Sequence, residues 1–258
     1  MLFKKLFTHF LFLITVLYLF TACFSKNTEA DLIKISAAAS LTDVLNEITL
    51  AYTERSGINF ELNFASSSIG ARQIKEGKDS SLFLSANENW VDYLDSIYLS
   101  DSKKVLLYNS LVVIAPLDSI MKIQNLEDLD NKGLKKIAMG DPSHVPAGIY
   151  ARKSLEMNSM WTLLEKKIVG AIDVRAALSL AESGAVDCAI VYKSDALVSH
   201  KVKILYEIPS DRTPQIEYFI CTFDELEKTI SFYNYLFSSE AGNIFRKYGF
   251  KTSVEERT

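Results

Sequence analysis

Apolar positions along most of the chain recur at one of two periods, and the alternation between those periods predicts the elements. Leu32 to Ala37 reads as an apolar strand. Leu41, Val44, Leu45, Ile48, Ala51 and Tyr52 then recur at i, i+3, i+4 and i+7, which predicts an amphipathic helix ended by Gly57. Ser40 is placed as its N-cap, with Asp43 as the acid of a capping-box-like pair. Ile58 to Phe64 reads as a second strand. The serine turn Ala65-Ser66-Ser67-Ser68 follows, then a helix with Ile69 and Ile74 that ends near Gly77. Leu82 to Ala86 predicts a third strand, and Glu88 to Leu94 a short helix with Trp90. This order predicts a parallel sheet covered on both faces, with ligands beyond the carboxyl ends of its strands.

Tyr108 to Ala115, closed by Pro116, reads as one strand that crosses into a second domain. Lys136 to Met139 is a short strand, and Gly140-Asp141-Pro142-Ser143 after it is rich in turn formers. Pro146 has φ preset for a first helical position, so a helix is expected from there. Trp161 to Val169 reads as helical. Asp173 is placed as the cap of a helix through Val174, Ala177, Leu178 and Ala181, ended by Gly184. Cys188 to Tyr192 is a buried strand, Lys193-Ser194-Asp195 turns away from it, and Lys203 to Ile208 is another strand. Ile216 to Phe223 returns to the first domain. Helices from Glu225 to about Phe237 and from about Glu240 to Tyr248 close the chain.

The first thirty residues follow neither pattern. Lys4 and Lys5 precede an apolar run, Leu6 to Phe20, too short for a comfortable membrane span. Thr21-Ala22-Cys23 then resembles a bacterial lipoprotein signal, cut before Cys23 and lipidated there, with a short polar tether after it. The alternatives are a cleaved secretory signal without lipid and an uncleaved anchor. The protein is therefore expected to be exported, to the periplasm or cell envelope, and lipid-anchored at Cys23.

About 235 of the 258 residues remain, enough for two modest domains or one large one. Setting aside Lys4 and Lys5 leaves 26 basic against 32 acidic residues, a net charge of −6, which argues against a nucleic-acid surface. His9, His144 and His200 form no metal-ligand spacing, and His144, on the Gly140–Tyr150 loop, is expected to face solvent, with a ligand-facing position as the alternative. Cys188 and Cys221 are expected to be buried free thiols, although export would permit a disulfide.

The candidate chemistry lies at the strand-to-helix turns. Ser40, the Ser66–Ser68 run, the amides of Ala147 and Gly148, the start of the helix at Asp173–Val174, and Tyr192 at a strand end can all donate hydrogen bonds. Amides of a first helical turn have no partner inside the helix and carry its positive dipole end. Several such ends, converging without a cation, suit a fully deprotonated oxyanion, which accepts at every oxygen. A Ser–His–Asp triad cannot be built from the neighbours Asp141, Ser143 and His144, and no G-x-S-x-G elbow is present, so no enzyme is expected. Asp141 reads as a turn residue, and Arg72, Arg152 and Arg175 as exposed helix positions.

These segments resemble the periplasmic molybdate-binding proteins of ABC importers. The matching runs are Ala37–Asp43, Phe64–Ser68 with Ala71–Ile74, Leu82–Ala86, Gly140–Tyr150, Asp173–Leu178, Ile190–Tyr192 with Ser194–Ala196, and Arg246–Phe250. The resemblance implies an α/β, two-domain type II periplasmic-binding-protein fold, each domain a mixed, mostly parallel sheet flanked by helices, with the ligand in the interdomain cleft. The expected division is a signal peptide over 1–22, a tether over 23–30, domain I over 31–110 and 219–258, and domain II over 111–218. It implies that Ser40 and Ser67 contribute hydroxyl and amide, Ala147 and Val174 backbone amides, and Tyr192 its phenolic hydroxyl. It implies capture of molybdate, with tungstate bound about as well, delivery to an ABC permease in the inner membrane, no cofactor, and a monomer. Sulfate, phosphate or an organic acid remain alternative ligands. Phosphate lacks a carboxylate placed to accept its remaining proton, and an organic acid would more usually recruit an arginine fork.

Overall fold

The computed structural model describes residues 32–99 and 101–253. The expected signal peptide, the tether and Cys23 lie outside these residues. The chain begins as β1 (Leu32–Ala38), a 3-10 turn at Ala39–Leu41, α1 (Thr42–Ser56), β2 (Asn59–Ala65), α2 (Ser67–Lys75), β3 (Leu82–Ser85) and α3 (Glu88–Asp92). The stripe predicted for α1 is its buried face, with Val44, Leu45, Ile48 and Tyr52 inside. Gly57 ends it at φ 74°, a left-handed conformation that a side chain would strain.

The predicted strand Tyr108–Ala115 is two strands, β4 (Lys104–Asn109) and β5 (Leu111–Pro116), in different sheets. The break falls at Ser110, whose N–H is taken by the Asn109 side chain at 2.9 Å and whose carbonyl accepts from Lys193 N at 2.9 Å. After β6 (Ile137–Gly140) come α4 (Pro146–Met157), with Pro146 in its first turn as predicted, and α5 (Trp161–Leu164). The helix expected over Trp161–Val169 stops early. A 3-10 turn leads instead into β7 (Ile168–Ala171), paired in parallel with β6. The β-branched pair Ile168–Val169 favours the strand. α6 (Val174–Glu182) is capped by Asp173, whose carboxylate accepts from Ala176 N at 2.8 Å. β8 (Cys188–Tyr192) leads into a short helix, α7 (Lys193–Val198), where a turn was expected. β9 (Val202–Glu207), β10 (Ile216–Thr222), α8 (Glu227–Tyr235), α9 (Ser239–Lys247) and β11 (Lys251–Thr252) complete the chain.

The strands form two sheets, each the centre of a lobe. Lobe I has the order β11-β4-β10-β3-β1-β2, and lobe II the order β7-β6-β8-β5-β9. In lobe I, β1 runs parallel to β3, while β10 runs antiparallel to β3 and β4. In lobe II, β6 runs parallel to β7 and β8, and β5 runs antiparallel to β8 and β9. Both sheets are thus mixed. The inner strands β3, β6 and β8 are buried at every residue, as strands covered on both faces must be. Cys188 and Cys221 are free and buried, in separate sheets, and burial pushes both thiols up to about 12.

Candidate ligand-binding site

Four strand-to-helix turns converge between the lobes. From lobe I come the 3-10 turn after β1 and the start of α2, and from lobe II the starts of α4 and α6. They enclose a cavity whose lining includes Ser40, Ser66, Ser67, Ala147, Val174 and Tyr192, so all five residues named from the sequence share one wall set. The walls leave about 10 Å³ at the centre, room for one water-sized sphere. Anything larger than a water therefore needs these walls to move apart.

Ser40 is not the helix cap the sequence suggested. The cap position is Leu41, with no side-chain bond, because a 3-10 turn precedes the helix. The Ser40 hydroxyl lies 2.8 Å from Tyr218 Oη instead. Asn109 holds Tyr218 from the other side. Its Oδ1 accepts from Ser110 N, which fixes Nδ2 as the donor to Ser194 Oγ at 2.8 Å and to Tyr218 Oη at 3.3 Å. Tyr218 accepts there and shares a second bond with Ser40 in which either hydroxyl can donate. Ser67 is held more simply. Its oxygen accepts from Ala86 N at 3.0 Å, leaving its proton to donate inward. Tyr192 Oη is fully buried beside the Tyr218 side chain. Burial first, and nearby Tyr218 with it, raises the Tyr192 hydroxyl well above the ordinary tyrosine value, so it keeps its proton. Burial does the same at Tyr218.

Lobe II adds bare amides. Ala147 is second in α4 and Val174 first in α6, so neither N–H can bond within its own helix. Gly148 allows α4 to start this close to β6. A Cβ there would stand 1.9 Å from the Gly140 carbonyl oxygen and 2.8 Å from Asp141 C.

Asp173 is the one charged residue of the lining, and it is engaged at Ala176 N. Arg175, expected on an exposed face, is half-buried between the lobes. It pairs with Asp43 of α1 at 2.6 Å and with Asp195 of α7 at 2.5 Å, a contact that joins residues far apart in sequence. Burial pushes the Asp195 carboxyl up to about 7 against the pull of the Arg175 guanidinium. Arg72 and Arg152 are exposed as expected, over the rings of Trp90 and Trp161. Asp141 is the turn residue expected, its carboxylate accepting from Ser143 N at 2.8 Å and Ser143 Oγ at 2.6 Å. Those two bonds hold it below the usual carboxylate range. His144 differs from expectation. It is half-buried, with Nδ1 3.0 Å from Ser68 Oγ and its carbonyl accepting from Trp90 Nε1 at 3.1 Å.

Tyr218 and Asn109 were missed from the sequence. Tyr218 sits 178 residues from Ser40, and the only local signal was an aromatic inside an apolar strand. Among the described residues no group of three or more His, Cys, Asp or Glu could hold a metal ion, and no helix is long and apolar enough to cross a membrane.

A model of the bacterial extracellular solute-binding protein family matches residues 33–251. The molybdate-binding protein ModA of Escherichia coli (strain K12) is 39% identical over 236 residues, covering 87% of this chain and 91% of that protein. The putative ABC transporter substrate-binding lipoprotein YvgL of Bacillus subtilis (strain 168) is 36% identical over 259 residues, covering 96% and 98%. Among solved structures, the periplasmic molybdate-binding protein of Azotobacter vinelandii aligns with a TM-score of 0.77 at 21% identity, over 84% of this chain and 98% of that one. That likeness is one of fold, the two-domain α/β type II periplasmic-binding-protein fold. Proteins of this kind hold a solute and do not transform it, so the chain is not an enzyme and needs no cofactor. The chain belongs to the bacterial extracellular solute-binding protein family and, within it, to the ModA-like periplasmic binding proteins.

Proposed function

We propose that this protein is the molybdate-binding component of an ABC importer, that it takes tungstate about as well, and that it hands the anion to a permease in the inner membrane. The observation that carries this reading is the set of three hydroxyls brought to one cavity. Ser67 accepts from the Ala86 amide behind it, Ser40 is held by Tyr218, and Tyr192 Oη is fully buried beside Tyr218. All three line the cavity and can donate to an anion placed there. With the amides of Ser40, Ser67, Ala147 and Val174 they make a shell of donors without a cation. A fully deprotonated tetrahedral dianion satisfies such a shell. A protonated one sets a donor against donors and leaves buried groups unpaired. Hydrogen phosphate is disfavoured on that ground. An organic acid is disfavoured because the lining holds no arginine to form a fork.

We propose two domains along these lobes, 31–110 with 219–258, and 111–218. The pairing of β10 within the lobe I sheet from Ile216 onward supports a second crossing before that residue. Export with a signal over 1–22, lipid attachment at Cys23 with a tether to residue 30, and a monomeric state belong to the same proposal. The relative named as a lipoprotein supports the anchor.

Calorimetric titration of the purified protein with molybdate, tungstate and sulfate tests the reading. The expected outcome is tight one-to-one binding of the first two and far weaker binding of sulfate. Sulfate binding as tight as molybdate would remove the claim of selectivity, and silence for all three would remove the oxyanion.

A further inference from the structure

The loop that carries the lobe II amides is bonded directly to lobe I at its tip, through His144. The His144 carbonyl accepts from Trp90 Nε1 at 3.1 Å, and its Nδ1 lies 3.0 Å from Ser68 Oγ. Trp90 belongs to α3 and Ser68 to α2, both in lobe I. The partners are themselves held. Ser68 is fully buried, and its oxygen lies 3.0 Å from that of Ser66, which lines the cavity. The Arg72 guanidinium covers the Trp90 ring at 5.4 Å. On its own side, His144 N donates to Asp141 O at 3.3 Å within the turn, and Ala147 follows three residues later. His144 does not line the cavity. Its two bonds cross from one lobe to the other, so parting the lobes must break them.

We propose that His144 is a positioning residue that clasps the closed lobes and sets how long the captured anion is held, without touching it. This deepens the function proposed above and rests on the anion occupying the cavity. An anion that leaves only when the lobes part must wait for the clasp to open. An anion that arrives meets lobes already apart, where the clasp is not yet formed. The clasp therefore acts on dissociation and leaves association nearly unchanged.

The test is stopped-flow kinetics with molybdate on the purified protein, read by Trp90 fluorescence in a Trp161→Phe background. In the parent, molybdate must bind. Absence of binding there overturns the oxyanion reading and the clasp together. His144→Ala should speed dissociation by about threefold to tenfold, the range for one lost hydrogen bond, with the association rate within about twofold. His144→Asn, whose amide can place a polar atom near the Nδ1 position, should restore most of the slow dissociation. Trp90→Phe, followed by calorimetry, should weaken molybdate by a similar factor while keeping a ring beneath Arg72. Dissociation unchanged in His144→Ala overturns the clasp alone. So does a fall in both rates' ratio that tracks an equal fall in the melting temperature of the ligand-free protein, which would mark a merely structural role.

Discussion

At the cavity, lobe I presents Ser40 and Ser67, each with a hydroxyl and an amide at a turn. Lobe II presents Ala147 and Val174 as amides alone and adds the Tyr192 hydroxyl from the end of β8. The two sides are also set in place differently. In lobe I, neutral bonds hold the hydroxyls, one shared between Ser40 and Tyr218 and one from the Ala86 amide to Ser67. In lobe II, close packing of α4 on β6 places one amide, and the Asp173 cap fixes the start of the helix that supplies the other. A hydroxyl can be removed by changing the residue that bears it. An amide cannot, so lobe II is vulnerable at residues that only support the donor.

Gly148→Ala should have the largest effect for that reason. Its Cβ would meet backbone at 1.9 Å, and neither the carbonyl of Gly140 nor the start of α4 is a flexible end that can swing aside. Overpacking of this kind costs about 1–3 kcal/mol and sometimes more, and here the strain moves the Ala147 amide itself. Molybdate affinity should fall by more than about a hundredfold, and the melting temperature by several degrees. Titration beside thermal unfolding checks both. Affinity near that of the parent would mean that the α4 amide contributes little, and the anion would then depend chiefly on hydroxyls.

The contrast between the lobes also decides what could be read from the sequence. The turns were legible because capping chemistry is local. Pro146 opens α4 and Asp173 caps α6 where the sequence placed them. The groups behind the donors were not legible, because the fold brings them from elsewhere. Tyr218 reaches Ser40 across 178 residues, and His144 reaches Ser68 across 76. Neither pairing leaves a trace in hydrophobic period or motif spacing. The misread cap at Ser40 has the same origin. A serine before an amphipathic run is a cap by local rules, but here a 3-10 turn precedes the helix and the hydroxyl bonds the distant Tyr218. The strand divided at Ser110 was read as one because both halves are apolar, and only pairing with two different sheets separates them.

Ser67→Ala tests the hydroxyl side directly. It deletes one donor to a charged acceptor, worth about 1.5–3 kcal/mol, so molybdate should bind roughly ten- to a hundredfold more weakly. It also leaves the Ala86 N–H without its acceptor, which should cost about 1 kcal/mol of stability in the ligand-free protein. Calorimetry and thermal unfolding separate the two losses. Loss of stability with unchanged affinity would reduce Ser67 to a support for Ala86.

Tyr218→Phe asks whether the placement of a hydroxyl matters beyond its presence, and its effect should be the smallest. The substitution keeps the ring against Tyr192 and Phe250, with centroids at 5.7 and 5.5 Å, so packing changes little. It removes only the Oη that joins Asn109 to Ser40. Ser40 keeps its proton but loses the hydroxyl that holds its side chain in place. One neutral hydrogen bond is worth about 0.5–1.5 kcal/mol, so molybdate affinity should fall by roughly two- to tenfold. Asn109 retains Ser194 as an acceptor, which should keep the loss of stability small. The double variant with Ser40→Ala sharpens the result. If Tyr218 acts through Ser40, adding Tyr218→Phe to Ser40→Ala should weaken binding no further, and the double-mutant cycle should show strong coupling. Additive losses would mean that Tyr218 supports the cavity by another route, and that the Ser40 hydroxyl needs no partner behind it.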